Sequence, residues 1–423
     1  SLAAPCSVSA AEKTTLTFWH AMGGTNGEVL QQIVDDFNAS QDEIEIKAEY
    51  QGTYDDTITK LKAAMQSDSG LPDVCQMYDV GTKFMYDSGA VIPVEDKFES
   101  TGYDKSSVME VISSYYTVDG KQYAMPFNVS TPMLYYNKDV FEAAGLDPET
   151  PPTTYDEVLE DAKKIVESGA APVGYSQAIY GWFFEQQLAG LGVTYGNNDN
   201  GRKEAVTAVD FDSNGGGLKV FDMWKKLYDS GYFEDYGTTT ADTQTAFFSG
   251  QVGMIIESTA ILKNAVDSSP FEVGTGYLPR IEQNDEGGVI IGGGSLWLTD
   301  TGNEANEDAA WKFIEYITTP DVQAKWSMGT GYFAINEKAY ETEDMKAYLK
   351  ENPNFETAIN QLKDSPVNCN TAGVLSGVQT EARLTFNEIM PQVYDGKLTT
   401  QDAVDQLAAS VNKAIENYNE SIK

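Results

Sequence analysis

The beginning of the chain alternates between short apolar-rich segments and longer amphipathic ones. Apolar and polar residues alternate over 15–20 and 43–50, which predicts two half-buried strands, and the apolar run 72–78 predicts a third. Two helices are predicted between them, the first capped by Asn26. The apolar stripe of that first helix consists of Val29, Leu30, Ile33, Val34 and Phe37. A strand–helix–strand–helix–strand order is typical of a parallel sheet with helices on its faces, and therefore of an α/β protein.

The segment 123–139 predicts a passage between two sheets. It is rich in apolar and aromatic residues, but Pro126 and Pro132 interrupt it, and proline cannot donate to a sheet ladder. We therefore expect the chain to leave one sheet near Pro126 and to enter another after Pro132. The polar residues between them, among them Ser130, then face a cleft. Tyr54 and Asp79 follow two of the predicted strands, where ligands of parallel sheets bind.

The rest of the chain predicts a second body and two further crossings. Strands are expected over 205–211, 252–256 and 274–279, and helices after the capping box at Thr154 and over 400–418. Ser258 follows the short buried strand and is suited to cap a helix. The glycine-rich segment 287–298 and the Gly-Thr-Gly-Tyr sequence at 329–332 predict the second and third crossings, where glycine lets the backbone approach a ligand.

Composition narrows the functional classes. A length of 423 residues suggests two domains, and a net charge of −37 argues against binding to the nucleic-acid backbone, which needs a basic face. No apolar run reaches the length of about 18 residues that a membrane span needs. Cys75 is expected to be a buried thiol, although a bridge to Cys369 stays open. Cys6 follows Leu-Ala-Ala-Pro and resembles the lipid-attachment cysteine of bacterial lipoproteins, apart from the proline before it.

No motif predicts catalysis, a metal or a cofactor. His20 is the single histidine, and the chain has no G-x-S-x-G elbow, H-E-x-x-H pair or Walker A loop. Asp210 begins half of a calcium loop, but its twelfth position is Phe221 instead of glutamate. Gly292 to Gly294 lack the spacing of a dinucleotide fingerprint. Carboxylates are so numerous that the sequence singles out no glycosidase pair.

Two features have both a structural and a ligand-binding interpretation. The aromatic residues at 175, 180 and 182–184 are expected to pack in the core, with one or two of them forming a ligand wall. Arg383 is the only cation for many residues in either direction. Its side chain suits either a salt bridge with one of many carboxylates or a fixed fork for a phosphate or for vicinal hydroxyls.

Several segments together resemble the extracellular solute-binding proteins of ABC importers, the class that includes maltose-binding protein, and within it the sn-glycerol-3-phosphate and glycerophosphodiester-binding subfamily. They are F-W-H-A-M at 18–22, Y-Q-G-T-Y-D at 50–55, Q-M-Y-D-V-G-T at 76–82, P-F-N-V-S-T-P-M-L-Y-Y-N-K-D at 126–139, I-I-G-G-G-S-L-W at 290–297 and T-G-Y at 330–332. The resemblance runs over nearly the whole chain.

The resemblance implies a periplasmic-binding-protein-like fold, with two α/β lobes joined by three crossover segments around a ligand cleft. We expect lobe one to contain residues 1–128 and 289–331, and lobe two to contain 129–288 and 332–423. It also implies a monomeric, non-enzymatic protein that captures its ligand and delivers it to ABC permease subunits. Its expected location is the extracellular face of the cell membrane or the periplasm. The ligand-binding positions carried over are Tyr54, Asp79, Ser130, Ser258, Gly293, Tyr332 and Arg383.

One departure from the subfamily bears on the ligand. Relatives that prefer glycerol phosphate have a tryptophan two residues before the Gly-Trp pair, and this chain has Ile179 there, followed by Tyr180, Gly181 and Trp182. The smaller side chain predicts space for a head group beside Tyr180 and Trp182, and hence a glycerophosphodiester such as glycerophosphocholine, with glycerol 3-phosphate second. An oligosaccharide-binding protein of the same class and a cleft hydrolase acting on glycerophosphodiesters or glycosides are the alternatives.

Overall fold

The strands predicted over 15–20, 43–50, 72–78, 252–256 and 274–279 are confirmed to within a few residues, and the structure adds further strands. The computed structural model describes residues 12–423, and its strands are β1 Thr14–His20, β2 Ile44–Tyr50, β3 Val74–Tyr78, β4 Val91–Ile92, β5 Thr117–Val118, β6 Lys121–Gln122, β7 Met125–Ser130, β8 Pro132–Asn137, β9 Val173–Ser176, β10 Val252–Ser258, β11 Val273–Gly276 and β12 Gly292–Thr299.

Helices cover the faces of the sheets and fill the C-terminal part. They are α1 Gly24–Ser40, α2 Tyr54–Ser67, α3 Thr82–Asp87, α4 Phe98–Thr101, α5 Glu110–Ser113, α6 Lys138–Ala143, α7 Tyr155–Glu167, α8 Gly181–Gly190, α9 Asn197–Asn200, α10 Gly216–Asp229, α11 Thr240–Phe248, α12 Leu262–Ser268, α13 Glu304–Ile317, α14 Pro320–Thr330, α15 Glu343–Glu351, α16 Pro353–Asp364, α17 Cys369–Ala372, α18 Gln379–Tyr394 and α19 Thr400–Ser421.

The first sheet confirms the parallel order predicted for the beginning of the chain. Its strands run in the order β2-β1-β3-β12-β4, and β7 also pairs with β12. Strand β1 is parallel to both β2 and β3, as the strand–helix alternation requires. The late strand β12 is antiparallel to β3, β4 and β7, so the complete sheet is mixed.

The second sheet has the order β11-β8-β10-β9. Strand β8 is antiparallel to β10 and β11, and β10 is parallel to β9. The protein therefore consists of two α/β lobes, each built on its own sheet. The residue boundaries given above for the two lobes remain a prediction.

The crossing predicted around Pro126 and Pro132 is confirmed. Strand β7 belongs to the first sheet and β8 to the second, and a single residue, Thr131, separates them. The Thr131 N–H donates to the hydroxyl of Thr259 over 3.0 Å, and the Thr259 N–H donates back to the Thr131 carbonyl over 2.7 Å. This exchange gives the two backbone N–H groups and the Thr131 carbonyl partners at the point where the chain passes from one sheet to the other.

Two local predictions are wrong. Residues 205–211 form no strand, because their backbone is held by an isolated bridge between Gly196 and Val209 and by Asn412, whose side chain accepts from the Val209 N–H over 2.8 Å. Asn26 does not cap α1, since that helix begins two residues earlier, at Gly24, with Gly23 at the capping position. The apolar stripe of α1 is nevertheless buried as predicted, apart from the partly buried Val29.

The C-terminal helix positions part of the site. The helix predicted over 400–418 is confirmed as α19, and its apolar stripe is buried at Val404, Leu407, Val411 and Ile415. This stripe packs against α18 and α10 in the core of the second lobe. Helix α18 carries Arg383, so the packing of α19 fixes the helix from which that side chain extends.

Cys75 is fully buried, as expected, and both Cys75 and Cys369 are free thiols, so the bridge left open by the sequence does not form. Cys6 lies outside the described residues. Among residues 12–423, no helix combines the length and the apolar character that crossing a membrane requires.

Candidate functional site

A cavity of about 600 Å³ lies between the two sheets and brings together residues that are far apart in the sequence. Of the predicted ligand-binding positions, it is lined by Tyr54, Asp79, Ser130, Ser258, Gly293 and Arg383, and of the predicted head-group pocket by Tyr180 and Trp182. Asp55, Tyr78, Gln244, Glu257, Gly292, Thr380 and Leu384 also contribute to its wall. The cavity therefore coincides with the cleft expected from the crossings.

Tyr54 is held by the first crossing strand. It is the first residue of α2, whose N-terminus is fixed by a capping box between Thr53 and Asp56. The side-chain amide of the buried Asn128 donates to the Tyr54 hydroxyl over 2.6 Å, and Gln76 in turn donates to Asn128 over 2.8 Å. Burial raises the pKa of Tyr54, so its hydroxyl stays protonated and is free to donate to a ligand.

Arg383 is paired with two carboxylates. Its Nε and Nη2 atoms donate to Glu185 over 2.7 and 2.9 Å, and Nη2 lies 3.9 Å from Asp79. Burial opposes the charge of Arg383, but Glu185 and Asp79 outweigh it and hold the pKa of the guanidinium above its ordinary value. Burial raises the pKa of Asp79, while Arg383 opposes that rise. Arg383 therefore forms the salt bridge that one interpretation of the sequence predicted, and it also lines the cavity, as the ligand-binding interpretation requires.

Glycine allows the two elements that carry Arg383 and Glu185 to approach each other. Gly181 begins α8, and a Cβ atom there would lie 2.6 Å from the Cα of Arg383. Any larger residue would push α8 away from α18. Because Glu185 lies one turn further along α8, this close contact sets the geometry of the bidentate pair.

The glycines of the segment 287–298 allow β12 to pack closely against β7 and also line the cavity. Gly293 has a φ of +95°, and a Cβ atom there would lie 1.8 Å from the carbonyl oxygen of Asn128. At Gly292, an added Cβ would lie 2.8 Å from the Trp182 ring and 3.4 Å from the hydroxyl of Ser130. Strands β7 and β12 can therefore lie side by side at the cavity only because these positions are glycine.

The far wall of the cavity is formed by the end of β10. The Ser258 hydroxyl accepts from the Ala260 N–H over 3.1 Å and caps the short 3₁₀ helix Thr259–Ile261, as the sequence suggested. Glu257, one residue earlier, is 4% exposed and accepts from the Ser258 N–H over 2.8 Å and from Gln244 over 3.1 Å. Burial raises the pKa of Glu257 to about 7.

Comparisons with known proteins decide the family. Residues 32–357 match the family model described as bacterial extracellular solute-binding protein. The chain belongs to this family. The sn-glycerol-3-phosphate-binding periplasmic protein UgpB of Escherichia coli strain K12 is 31% identical to this solute-binding protein, over 97% of this chain and 94% of the relative.

Solved structures of solute-binding proteins share the fold. The cyclic alpha-maltosyl-1,6-maltose binding protein of Arthrobacter globiformis superimposes with a TM-score of 0.80 at 26% identity, over 96% of this chain and 100% of that chain. UgpB of Mycobacterium tuberculosis, in complex with glycerophosphocholine, gives a TM-score of 0.79 at 20% identity, over 96% and 99%. The periplasmic-binding-protein-like fold and the assignment to the substrate-binding components of ABC importers are thereby confirmed.

Two of the predicted residues lie outside the cavity wall of this solute-binding protein. Ile179 is 1% exposed, and its backbone N–H donates to Gly237, so the side chain packs in the core instead of opening the cavity. Tyr332 stacks on Trp326, with ring centroids 5.9 Å apart. It lines a small neighbouring cavity, and it lies near enough to Asn128 and Tyr54 to interact electrostatically with them.

The residues considered for catalysis or metal binding also lie elsewhere. His20 ends β1 as expected, but it does not line the cavity; burial lowers its pKa to about 4, and its Nδ1 accepts from the Met22 N–H over 3.1 Å. Asp210 accepts from the Thr194 hydroxyl over 3.0 Å in the turn before α10. Within residues 12–423, no group of three or more histidine, cysteine or acidic side chains is placed to hold a metal ion.

The sequence patterns did not indicate Glu185 or Glu257 as candidate site residues. Glu185 lies beside the aromatic cluster in a segment interpreted as packing, and its partner Arg383 is 198 residues away. Glu257 precedes Ser258, which the sequence did single out. A carboxylate in an otherwise apolar buried strand, Met254 to Glu257, is the signal that could have identified it, because buried charges are rare without a partner or a role.

Proposed function

We propose that this protein captures a glycerophosphodiester with a zwitterionic head group, such as glycerophosphocholine, and delivers it to the permease of an ABC importer. The observation that carries the proposal is the charge of the cavity wall. Arg383 is the only lysine or arginine that lines the cavity in residues 12–423, and Glu185 already holds two of its donors. Asp55, Asp79 and Glu257 line the same cavity.

This balance of charge favours a diester over a monoester. A phosphate monoester carries about −1.5 to −2 charges at pH 7, and each additional negative charge is repelled by the carboxylates of a partly desolvated cavity. A glycerophosphodiester carries a single negative charge on its phosphate, and the choline ester is neutral overall. Glycerol 3-phosphate is therefore the second candidate, although the 31% identical relative is named for it.

The roles that we assign to the wall follow from its donors and acceptors. Asp79 and Tyr54 bind the glycerol hydroxyls, because a carboxylate accepts two hydrogen bonds and the tyrosine hydroxyl donates one. The phosphate is shared by the hydroxyls of Ser130 and Ser258 and by Arg383. A guanidinium has five N–H donors, and the pair with Glu185 uses two of them, so three remain.

Two further predicted positions complete this assignment. The Gly293 N–H reaches the phosphate, and Tyr332, which lies near Asn128 and Tyr54, contributes indirectly through them. Tyr180 and Trp182 form the aromatic side of the head-group pocket, where they suit a choline cation. Ile179, which is buried behind them, shapes this pocket only indirectly.

The mechanism that we propose is closure of the two lobes around the ligand. Ligand bridges the walls contributed by β7 and β10 and stabilises the closed form, which the permease recognises. The protein acts as a monomer, and lipid attached to Cys6 anchors it at the outer face of the cell membrane.

A neutral oligosaccharide is the alternative to both phosphate-containing ligands. The rings of Tyr54 and Tyr78 stack 5.3 Å apart at the cavity, which Tyr180 and Trp182 also line, and aromatic surfaces of this kind bind sugar rings. The maltose-type relative from Arthrobacter globiformis is 26% identical. A sugar also avoids the repulsion between a phosphate and the carboxylates.

The test is a thermal shift measurement on protein freed of ligand by unfolding and refolding. Glycerophosphocholine, glycerol 3-phosphate and maltotriose are compared, and a ligand at one hundred times its Kd adds about 2.7 kcal/mol of stability. We expect the largest shift with glycerophosphocholine. A shift with maltotriose alone would overturn the proposal in favour of the sugar, and release of free choline by the purified protein would favour the hydrolase.

A further inference from the structure

Glu257 is a buried carboxylate without a cationic partner. It is 4% exposed and lies at the end of β10, in the wall of the cavity. Among the described residues, no lysine, arginine or histidine nitrogen lies within 4.0 Å of its oxygen atoms, although ion pairs occur elsewhere in the protein. An ionised carboxylate in such a position is costly unless a cation or several hydrogen bonds compensate it.

The hydrogen bonds in the protein satisfy this carboxylate only in part. Oε1 accepts from the Ser258 N–H and Oε2 from Gln244, one bond on each oxygen. A carboxylate offers about four lone-pair positions, so about two remain. Burial also keeps the pKa of Glu257 near 7, which means that the protein alone does not stabilise its charge fully.

Two aromatic residues, Tyr180 and Trp182, line the same cavity as Glu257. The Tyr180 hydroxyl lies close enough to Glu257, Arg383 and Asp79 for all three to influence its pKa. Tyr180 and Trp182 have ring centroids 5.9 Å apart and both line the cavity. An aromatic pair and a buried carboxylate in the wall of one cavity together attract a weakly hydrated organic cation.

We propose that Glu257 recognises the positively charged end of the ligand and thereby selects glycerophosphodiesters that carry a cationic head group. This inference rests on the proposed function and specifies its head-group chemistry. The cation occupies the position that a lysine or arginine of the protein would otherwise take beside Glu257. The diester phosphate then lies on the side of Arg383, so that each charge of the zwitterion faces an opposite charge of the wall.

The experiment compares two diesters that differ in the charge of the head group. Isothermal titration calorimetry at pH 7.5 measures the Kd of glycerophosphocholine and of glycerophosphoglycerol, whose head group is neutral. The wild-type protein is expected to bind the choline ester about tenfold more tightly. In Glu257→Gln, which keeps the shape and removes the charge, we expect the affinity for the choline ester to fall about tenfold and that for glycerophosphoglycerol to change less than twofold.

Glu307→Gln is the matched control. Glu307 is also a buried carboxylate, 9% exposed, and burial raises its pKa, but it lies on α13 outside the cavity wall. This variant changes the net charge of the protein by the same amount, and both affinities are expected to stay within twofold of the wild type. A thermal melt of each variant confirms that it is folded.

The outcomes separate the inference from the proposed function. Equal binding of the two diesters by the wild-type protein, which needs no variant, would overturn the role of Glu257 while leaving the proposed substrate class intact. An equal loss of affinity for both diesters in Glu257→Gln would also overturn it. Failure of the wild-type protein to bind either diester would overturn the proposed function itself.

Discussion

Two partly buried arginines have different roles in this protein. Arg383 faces the cavity and is held by the carboxylates of Glu185 and Asp79. Arg202 binds backbone carbonyls instead: Nη1 donates to Tyr115 over 2.7 Å, Nη2 to Ala372 over 2.7 Å and Nε to Gly373 over 3.0 Å. Within the described part of the chain, no acidic side chain forms an ion pair with Arg202.

The difference shows what each site can do. The charge of Arg202 is not neutralised, and burial lowers its pKa to about 10, but its donors are taken up by carbonyl groups that need them. It joins residues 115 and 372–373, which the sequence assigns to different lobes. The charge of Arg383 is matched by carboxylates, yet three of its donors remain for a ligand. One arginine therefore connects backbone segments, and the other keeps hydrogen-bonding capacity at the cavity.

Removing the guanidinium of Arg383 is the strongest way to test this comparison. Arg383→Ala leaves the Glu185 carboxylate buried without its partner, and such a loss typically costs about 3–5 kcal/mol of unfolding free energy. It also removes a ligand donor, so we expect the affinity for glycerophosphocholine to fall about a hundredfold. Chemical denaturation and calorimetry measure the two effects.

The double variant Arg383→Ala with Glu185→Gln separates stability from binding. It removes the uncompensated carboxylate, so most of the lost stability is expected to return, while the affinity stays low. Recovery of the affinity together with the stability would contradict a direct role of Arg383 at the ligand, because its effect would then arise from folding alone.

Arg202→Ala is expected to affect stability more than binding. It leaves the carbonyls of Tyr115, Ala372 and Gly373 without their donor, and unsatisfied buried groups cost about 1–3 kcal/mol each, partly relieved by water. We expect the unfolding free energy to fall by about 3 kcal/mol and the Kd of the folded protein to change less than threefold. Arg202→Lys keeps the positive charge but lacks the planar guanidinium group. It should therefore recover less than half of the unfolding free energy that Arg202→Ala loses. A tenfold weaker Kd with unchanged stability would reverse the contrast between the two arginines.

The sequence indicated the Arg383 region but not the Arg202 region, for a physical reason. Tyr54, Asp79, Ser130 and Ser258 stand at strand ends, and strand ends follow from local alternation and from prolines. Arg202 has no such signal, because its partners are backbone carbonyls, which every residue possesses. Its role depends on which loops the fold brings to it.

The dependence on tertiary contacts also explains where else the structure differs from the sequence predictions. The strands of the first sheet were predicted because alternation is local, whereas residues 205–211 alternate in a similar way and form irregular structure. There, Val206, Val209 and Phe211 are buried in the core of the second lobe, where Phe211 packs against Phe184 and Tyr195, and tertiary packing overrides the local preference. The ion pair of Glu185 with Arg383 also needs the complete fold, since the residues lie on different helices.

The pH dependence of binding tests whether Glu257 contributes a charge to the cavity. Its pKa is raised to about 7, so in the free protein the ionised fraction rises from about one tenth at pH 6 to about nine tenths at pH 8. A bound cation favours the ionised form, and the affinity for glycerophosphocholine should therefore increase up to about tenfold over this range. The tyrosines near it, Tyr135 and Tyr180, have raised pKa values and stay neutral throughout.

Two controls isolate Glu257 from the other acids. Asp79 also has a raised pKa, but it acts on the glycerol end that all the diesters share, so the ratio of the affinities for glycerophosphocholine and glycerophosphoglycerol cancels its effect. In Glu257→Gln this ratio should not change with pH. The stability of the free protein changes with pH in the opposite direction to the affinity. Between about pH 4.5 and about pH 7 the folded state retains a proton on Glu257 that the unfolded state has lost. The unfolding free energy attributable to Glu257 therefore falls as the pH rises through this range.

The smallest expected effect concerns a contact that resembles the Arg202 connection. The hydroxyl of Tyr418, on α19, donates to Asp87 on α3 over 2.6 Å, and Asp87 also pairs with Lys83 over 2.9 Å. Tyr418→Phe removes one hydrogen bond to a carboxylate that keeps its lysine, so we expect a loss of about 1 kcal/mol in unfolding free energy. Asp87→Asn retains an acceptor for Tyr418 but removes the charge that Lys83 needs, and should cost at least as much.

If the contact exists only when the lobes are closed, Tyr418→Phe also weakens ligand binding by up to about fivefold, because the closed form alone loses stability. Calorimetry with glycerophosphocholine distinguishes this from a contact retained in both forms, for which the Kd is unchanged and only the unfolding free energy falls.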